Sequence, residues 1–207
     1  MSDSVSSGSN PVPLAPWREP LSRALHRNRS RPYSRYFQLA TVTPQGHPAN
    51  RTVVFRGFLP DRNELIMVTD RRSQKMVDFT NCPWAEICWY FTQTREQFRL
   101  AGSLVWVGPD AADSSMPQAR RQTWDALSAA SRQSFYWPHP GQTRSSDEAA
   151  FETAAIATAS PDPAPNFCLV LLTPTTVDHL ELRGEPQNRT RYEQTAEGPW
   201  RVTAVNP

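Results

Sequence analysis

The chain has 207 residues, enough for one domain with a sizeable core, and its 20 prolines predict short elements joined by many loops. Its 22 lysines and arginines nearly balance its 20 aspartates and glutamates, and no long basic run occurs, so a nucleic acid is not expected as a partner. No apolar run reaches the ~20 residues of a membrane span and no signal-peptide pattern occurs, so we expect a soluble cytoplasmic protein without membrane contacts.

No metal or disulfide site is expected from the cysteines and histidines. The three cysteines are an odd number with no zinc-like spacing, and Cys88 and Cys168 lie in apolar runs where they are expected to be core residues. No histidine stands at a catalytic or metal-ligating spacing. We therefore assign all four histidines to the surface or the core: His26, His47, His139 and His179.

The N-terminal residues 1–15 are rich in Ser, Gly and Pro, which predicts a disordered tail before a single domain over residues 16–207. An amphipathic helix is predicted from Trp17 to about Asn28, because apolar residues recur there at helical spacing. Such a helix would cover one end of the sheet that the following strands form.

Three strands are predicted next, at about 35–43, 50–58 and 64–69, as an antiparallel meander. The second strand carries Arg51 and Arg56 near its ends. An arginine is costly to bury without a partner, because its charge cannot be neutralised at ordinary pH. Either both arginines lie at strand ends in water, or they face a bound anion.

A basic turn follows the third strand and leads into a predicted helix over residues 73–81. Asp70 or Ser73 could cap this helix, whose first N–H groups and positive dipole end are suited to phosphate. Arg71, Arg72 and Lys75 add positive charge there. The turn is therefore a candidate phosphate site, and the alternative is a solvated charged turn.

The middle of the chain contains two long strand patterns. Residues 84–92 are strongly apolar and aromatic, which predicts a central strand buried on both faces. Residues 96–107 form the next predicted strand, and Gly102 within it indicates a bulge or a bend. Helices are predicted at about 117–127 and 129–135.

The C-terminal third begins with a connector at about 145–165 that includes one short helical piece near residues 148–157. A strand is predicted over 166–172, a break at Pro174, and a second strand over 176–182. The last predicted element is a hairpin of residues 187–194 and 200–205.

Four of these stretches, at residues 51–56, 68–69, 73–75 and 96–102, have the order and spacing that resemble the pyridoxamine 5'-phosphate oxidase family of FMN-binding split barrels. Residues 94–98 and 137–141 resemble in particular a less characterised, oxidase-related branch. The resemblance runs from about Trp17 to Pro207. It implies a mostly β fold with flanking helices: a Greek-key-like, antiparallel split β-barrel, in a homodimer that holds FMN at the interface.

The resemblance, together with the chemistry of the side chains, selects a set of cofactor residues. Arg51, Arg72 and Lys75 would neutralise the FMN phosphate, and Gln97 with the backbone of residues 52–55 would hold the isoalloxazine edge. Gln142-Thr143 stands where the family has a Gln-Ser pair, although a plain polar loop is the alternative. The full predicted set is Arg51, Thr52, Val53, Val54, Phe55, Arg56, Val68, Thr69, Arg72, Ser73, Gln74, Lys75, Gln97, Gln142, Thr143 and Arg189.

The substrate side departs from the family pattern. In the oxidases an arginine and a histidine near the last hairpin hold the substrate, and a further arginine contacts the flavin. Arg189 fits either the flavin arginine or the substrate arginine; in the second register Arg191 replaces the histidine, so the histidine is absent in both. Leu180 stands where the oxidases have a tryptophan beside the flavin, and Arg56 replaces a lysine.

These observations predict an FMN-dependent oxidoreductase that acts on a small molecule, with catalytic residues that the sequence does not identify. The lost substrate residues leave a non-catalytic flavin-binding or redox-sensing module as the alternative. A related split barrel with haem or a deazaflavin is a third hypothesis, and haem is disfavoured because no histidine stands in an axial-ligand context.

Overall fold

The computed structural model describes residues 13–111, 116–153 and 162–207. Its helices are α1 (Arg18–Arg27), α2 (Gln74–Asn81), α3 (Met116–Asp125) and α4 (Ala129–Gln133), with 3₁₀ turns at Pro32–Arg35, Ser134–Tyr136 and Glu148–Phe151. None of the helices within these ranges is long and apolar enough to cross a membrane. The strands are β1 (Tyr36–Val42), β2 (Pro48–Val54), β3 (Gly57–Phe58), β4 (Leu65–Asp70), β5 (Trp84–Phe91), β6 (Glu96–Val107), β7 (Phe167–Glu181), β8 (Asn188–Gln194) and β9 (Trp200–Val205).

All of these strands form one antiparallel sheet in the order β2-β1-β5-β6-β7-β4-β3, and β8 and β9 extend from β7. The strand β7 is long enough to pair along one side with β6 and along the other with β4 first and β8 later. The sheet curls until β2 and β4 approach each other without forming a ladder. The predicted mostly β split barrel with flanking helices is therefore confirmed.

The interior of the curled sheet holds the main core, and α1 closes one end of it. Trp17, at the N-cap of α1, is fully buried together with Leu21 and Ala24 within the helix, and the Trp17 ring packs against Phe58 and Trp200. This confirms the predicted covering helix. Most of the predicted tail, residues 1–12, lies outside the described residues, as do residues 154–161 of the predicted connector.

The predicted burial of residues 84–92 on both faces was wrong. The strand β5 alternates between buried and exposed positions, because only one face of the sheet meets the core. Trp84 and Tyr90 are 47% and 43% exposed, whereas Trp89 between them is fully buried. Cys88 follows the same alternation and is only half-buried, whereas Cys168 is buried as expected.

The predicted bulge at Gly102 is confirmed, and it explains why the predicted break at Pro174 was wrong. The register of β6 with β7 shifts between Ala101 and Gly102, and Gly102 pairs with Pro174. A Cβ atom on Gly102 would stand 2.0 Å from the carbonyl oxygen of Thr173. The bulge lets β7 continue through a proline that has no N–H to donate.

The predicted single strand over 50–58 is divided, and the division positions the site described below. The Phe55 N–H donates to the Arg35 carbonyl beside β1, whereas the next N–H, of Arg56, donates to the Ile66 carbonyl of β4. Gly57 then takes a φ of 131° and begins the short strand β3. The chain thus crosses from one edge of the split to the other at Arg56.

Candidate functional site

The site begins with the free edge of β2. This strand pairs only with β1 within the described part of the chain. Because Phe55 is hydrogen-bonded to Arg35 and such pairs alternate along an antiparallel ladder, the N–H and C=O groups of Thr52 and Val54 point away from β1. The split therefore exposes a row of unpaired backbone donors and acceptors.

A cavity of about 240 Å³ lies along this edge. Its floor and far wall come from β4, from α2 and from the segment of α4 and the following turn, which contributes Ser131, Ser134 and Phe135. Six predicted cofactor residues line it: Thr52, Val53, Val54, Arg56, Val68 and Lys75. The structure thus brings three separate predicted stretches to one place.

Lys75 provides a half-buried cation to the cavity. Its ammonium group donates to the hydroxyls of Thr69 (2.9 Å) and Ser73 (3.1 Å), which are themselves 3.0 Å apart. Burial lowers the pKa of Lys75 from its ordinary value of 10.5, and the neighbouring Arg51 lowers it further. Arg51 and Lys75 are therefore close enough to act on the same ligand.

Arg51 is fixed by a carboxylate that the sequence analysis did not identify. One of its terminal nitrogens donates to Asp78 Oδ2 at 3.1 Å, and the other donates to the Thr41 hydroxyl at 2.6 Å. The Asp78 side chain is fully buried, and its Oδ1 has no hydrogen-bond partner among the described residues. The sequence offers one indication of this role, because Asp78 is a charged residue that lies between the buried apolar residues Met76 and Phe79 of α2.

Arg56 stands where the chain crosses the split. Its Nε is buried and has no hydrogen-bond partner in the described ranges. Burial lowers the pKa of Arg56, and the charge of Arg35 lowers it further. An arginine in this setting is ready to donate to an anion, because a buried donor without a partner is energetically costly.

The turn before α2 differs from the predicted phosphate cradle. Arg72 donates to both carboxylate oxygens of Asp70, at distances down to 2.7 Å, and to the Trp137 carbonyl at 3.0 Å. Neither predicted cap forms, since Ser73 occupies the N-cap position without a capping bond and the Asp70 carboxylate accepts from Arg72. Arg72 does not line the cavity that contains Lys75.

The remaining predicted residues lie elsewhere in this chain. Gln97 and Arg189 lie on the outer face of the sheet, in one row across β6, β7 and β8, with Leu180 between them in the register. Gln142 and Thr143 lie in the exposed loop after α4, and Gln74 is exposed at the start of α2. The Phe55 ring packs in the core against Phe58 and Trp89, so only its backbone is near the edge.

Comparison with known proteins identifies this arrangement. A family model described as the pyridoxamine 5'-phosphate oxidase, FMN-binding domain matches residues 14–108. Pyridoxine/pyridoxamine 5'-phosphate oxidase 2 of Arabidopsis thaliana is 36% identical over 198 residues, which are 94% of this chain and 98% of that protein. A crystal structure of a pyridoxamine 5'-phosphate oxidase-related, FMN binding protein from Nostoc punctiforme PCC 73102 is 53% identical with a TM-score of 0.88, and the match covers 95% of this chain and 100% of that one. The chain belongs to the pyridoxamine 5'-phosphate oxidase-related FMN-binding family.

Membership of this FMN-binding family confirms FMN as the predicted cofactor. The family includes proteins with other names: dihydrophenazinedicarboxylate synthase of Pseudomonas chlororaphis is 29% identical over 177 residues, 84% of this chain and 75% of that protein. Membership therefore does not fix the reaction of this chain.

The residues around the cavity fit FMN. Lys75 and Arg56 line it, and Arg51 is close enough to Lys75 to lower its pKa, whereas no Asp or Glu is among the described lining residues. The unpartnered Arg56 Nε and the free backbone of Thr52 and Val54 offer hydrogen bonds to a phosphate and to a uracil-like ring edge. The individual contacts of the predicted residues with FMN stay predictions.

A second polar cluster lies inside the sheet, away from the cavity. His179 Nε2 lies 2.9 Å from Glu96 Oε2, and the His179 ring stacks on Phe98 with centroids 4.0 Å apart. Burial raises the pKa of Glu96, but hydrogen bonds from His179 and Thr94 outweigh it and hold the pKa below its usual value. Glu181 completes a group whose ligand atoms lie within 4.8 Å of one another. The hydrogen bond between His179 and Glu96 gives both buried side chains a polar partner, so their burial needs no ligand to explain it.

Proposed function

We propose that this protein is an FMN-dependent oxidoreductase that acts on a small molecule. The observation that carries the proposal is the cavity at the β2 edge, where cations and free backbone groups meet without a described carboxylate in the lining. The Arabidopsis relative, which is 36% identical over nearly the full length of both chains, is named as an oxidase and supports the same class of reaction.

In this proposal, FMN supplies the electron transfer when bound, and the chain supplies binding and orientation. Lys75 and Arg51 hold the phosphate end, and Asp78 holds the Arg51 side chain in place by accepting a hydrogen bond from it. The outward backbone groups of Thr52 and Val54 meet the ring edge. The apolar side chains of Val53, Val68 and Phe135 exclude water from the rest of the cavity.

We further propose that the working form is a homodimer with FMN at the interface. The cavity of about 240 Å³ is smaller than the ~300–1,000 Å³ typical of cofactor sites, so one chain supplies only part of such a site. Gln97, Gln142, Thr143 and Arg189 lie outside it and would act from a second copy. Large exposed apolar side chains offer a surface for that copy: Val77, Trp84, Val105 and Trp106.

The first test is the absorbance spectrum of the purified protein, with the released chromophore identified by mass. FMN gives a band near about 450 nm, and this band should be weaker in purified Lys75→Gln, whereas Arg201→Gln at the remote β9 should retain it. Turnover is then measured with vitamin B6 phosphates and quinones. A protein that stays colourless in excess FMN contradicts the proposal, and the mass from sedimentation tests the dimer.

A non-catalytic flavin-binding or redox-sensing module is the second candidate. One observation favours it: Arg189 and Arg191, which stand for the substrate residues in one of the two possible registers, both pair with Asp178, at 2.7 Å and 3.5 Å. Paired arginines are less available for a substrate. Stopped-flow oxidation of the reduced protein separates the candidates, because turnover with any of the compounds removes this second one.

A further inference from the structure

The sequence predicts that Arg72 binds the FMN phosphate, but in the structure its guanidinium group is engaged within the chain. It donates to the Asp70 carboxylate through Nε (3.0 Å) and through a terminal nitrogen (2.7 Å), and that terminal nitrogen also donates to the Trp137 carbonyl at 3.0 Å. The side chains of Arg72 and Asp70 are only 23% and 15% exposed. The hydrogen bonds with Asp70 raise the pKa of Arg72, so the pair stays charged.

Asp70 shapes the turn that leads into α2. Its Oδ1 accepts from the backbone N–H of Arg72 at 2.8 Å, and its backbone carbonyl accepts from the N–H of Ser73 at 3.0 Å. The turn then presents the Ser73 hydroxyl to the ammonium group of Lys75 at 3.1 Å. The Asp70 carboxylate is therefore part of the scaffold that positions Ser73 and Lys75.

The same carboxylate is a negative charge beside the proposed position of the phosphate. Asp70 is close enough to Lys75 to raise the pKa of that ammonium group, although burial and Arg51 lower it by more. An unpaired carboxylate at this place would repel a phosphate dianion. The bidentate pair with Arg72 cancels the charge and leaves the carboxylate where the turn needs it.

The hydrogen bond of Arg72 to Trp137 extends this scaffold to the other wall of the cofactor cavity. Trp137 directly follows the 3₁₀ turn after α4, whose Ser134 and Phe135 line the cavity at the β2 edge. The Trp137 indole is fixed as well, because its Nε1 donates to the Phe151 carbonyl at 3.1 Å. Arg72 therefore joins the turn before α2 to the segment that forms the far wall.

We propose that Arg72 is a positioning residue for the phosphate of FMN: without touching the phosphate, it cancels the charge of Asp70 and fixes the turn that leads to Lys75. Arg72 thereby sets the preference of the site for FMN over riboflavin, which has the same ring system but no phosphate. This role rests on the proposed place of the phosphate at Lys75 and Arg51, and it does not depend on the proposed reaction.

The test compares the dissociation constants of FMN and riboflavin for the cofactor-free protein, measured by quenching of flavin fluorescence. Arg72→Gln should weaken FMN about threefold to thirtyfold, because Asp70 then repels the phosphate, and should weaken riboflavin less than about twofold. Arg72→Lys should restore part of the loss, since an ammonium group pairs with Asp70 but lacks the guanidinium fork. The matched control Arg71→Gln removes the same charge from the neighbouring residue, which lines a different cavity, and should change FMN affinity less than about twofold.

The double variant Asp70→Asn/Arg72→Gln separates the cancelled charge from a general loosening of the turn. Asparagine keeps an oxygen that accepts from the backbone N–H of residue 72 but carries no charge, so the double variant should recover most of the FMN affinity that Arg72→Gln loses. Amide hydrogen exchange of residues 137–143 should be faster in both variants than in the wild type, because each lacks the bond to the Trp137 carbonyl.

Three results overturn the proposal: an unchanged FMN constant in Arg72→Gln, an equal loss of riboflavin and FMN, or a double variant that loses as much FMN affinity as Arg72→Gln. Circular dichroism checks that the variants fold. If Arg72→Gln does not fold, Arg72→Lys provides the same comparison, with a smaller loss that again affects FMN and not riboflavin.

The same constants separate this proposal from the preceding one. If Lys75→Gln weakens FMN and Arg72→Gln does not, the phosphate lies at Lys75 and only the role of Arg72 is rejected. If neither variant weakens FMN, the proposed place of the phosphate is rejected as well. If Arg72→Gln behaves as expected but no compound is turned over, the role of Arg72 stands and the oxidoreductase is rejected.

Discussion

The free edge of β2 and the outer face of β6, β7 and β8 both present arginines, but the two regions balance charge differently. On the outer face, Arg99 pairs with Glu86 at 2.5 Å, and Asp178 accepts from Arg189 at 2.7 Å. Around the cavity at the β2 edge, Arg56 has no carboxylate partner among the described residues. Lys75 donates to two hydroxyls and not to a carboxylate, although Asp70 and Asp78 are close enough to raise its pKa.

The difference between the two regions is whether a cation has a carboxylate partner within the protein. An exposed ion pair is already satisfied and contributes little, about 0–1 kcal/mol. A half-buried cation without a counter-charge lowers stability until an anion arrives, which is a common property of functional sites. The count of arginines alone does not separate the two cases, but their partners do.

The largest effect is expected at the ion pair of Arg51 with Asp78, because the Asp78 side chain is fully buried. Arg51→Ala leaves the buried Asp78 carboxylate without its cation, which should reduce the free energy of unfolding by about 3–5 kcal/mol. Urea denaturation of the cofactor-free protein measures it. The double variant Arg51→Ala/Asp78→Ala should recover a large part, and equal losses in the single and double variants would contradict this account.

The next effect concerns the cofactor itself. If Lys75 holds the FMN phosphate as proposed, Lys75→Gln removes a charge-assisted hydrogen bond to it. The dissociation constant of FMN should then rise about tenfold to a hundredfold, by 1.5–3 kcal/mol. Quenching of flavin fluorescence measures this constant. Unchanged affinity would show that the cations of the split do not hold the phosphate.

The pH dependence of FMN binding should follow Lys75. Its pKa is lowered by burial and then by Arg51, so the cation is lost as pH rises through a value below 10.5. FMN affinity should be full below that value and fall above it by up to about tenfold per pH unit. Titrations at increasing alkaline pH test this, and the slope should vanish in Lys75→Gln.

Stability of the cofactor-free protein should change in the opposite direction over the same window. The unfolded lysine keeps its ordinary pKa of 10.5, so the unfolded state binds more protons than the folded state between the two values. The contribution of Lys75 to stability therefore rises with pH there. Denaturation midpoints of the wild type and Lys75→Gln isolate it, and a fall with pH would refute the lowered pKa.

The smallest effect is expected on the compensated surface. Arg201 pairs with Glu193 at 2.6 Å, and its side chain is 66% exposed. Arg201→Gln should change the free energy of unfolding by less than about 1 kcal/mol and leave FMN affinity unchanged. A loss of FMN as large as that in Lys75→Gln would remove the distinction between the two regions.

Local rules predicted much of the fold. The bulge at Gly102 and the covering helix with Trp17 follow from glycine chemistry and apolar spacing, and both are present. The exposure of Trp84 could not be predicted from local rules, because a run of aromatic residues is compatible with a strand that is buried on one face or on both. The continuation of β7 through Pro174 depends on a bulge in a different strand.

The candidate site was predictable in its location but not in its partners. The stretches that carry Thr52, Val68 and Lys75 meet in one cavity. Asp78 was missed because its importance comes from a contact with a distant part of the chain, the hydrogen bond that it accepts from Arg51. The sequence likewise leaves open whether Arg72 donates to a bound phosphate or to the nearby carboxylate of Asp70, and in the structure it donates to Asp70.

The open backbone of β2 also matters for the protein before it acquires any ligand. An unpaired strand edge is a template for another strand, whether from a second chain or from a misfolded neighbour. Only Pro48 at its start and the charge of Arg51 interrupt this edge. If FMN covers this edge as proposed, chains that lack the cofactor are the ones most exposed to edge-to-edge aggregation.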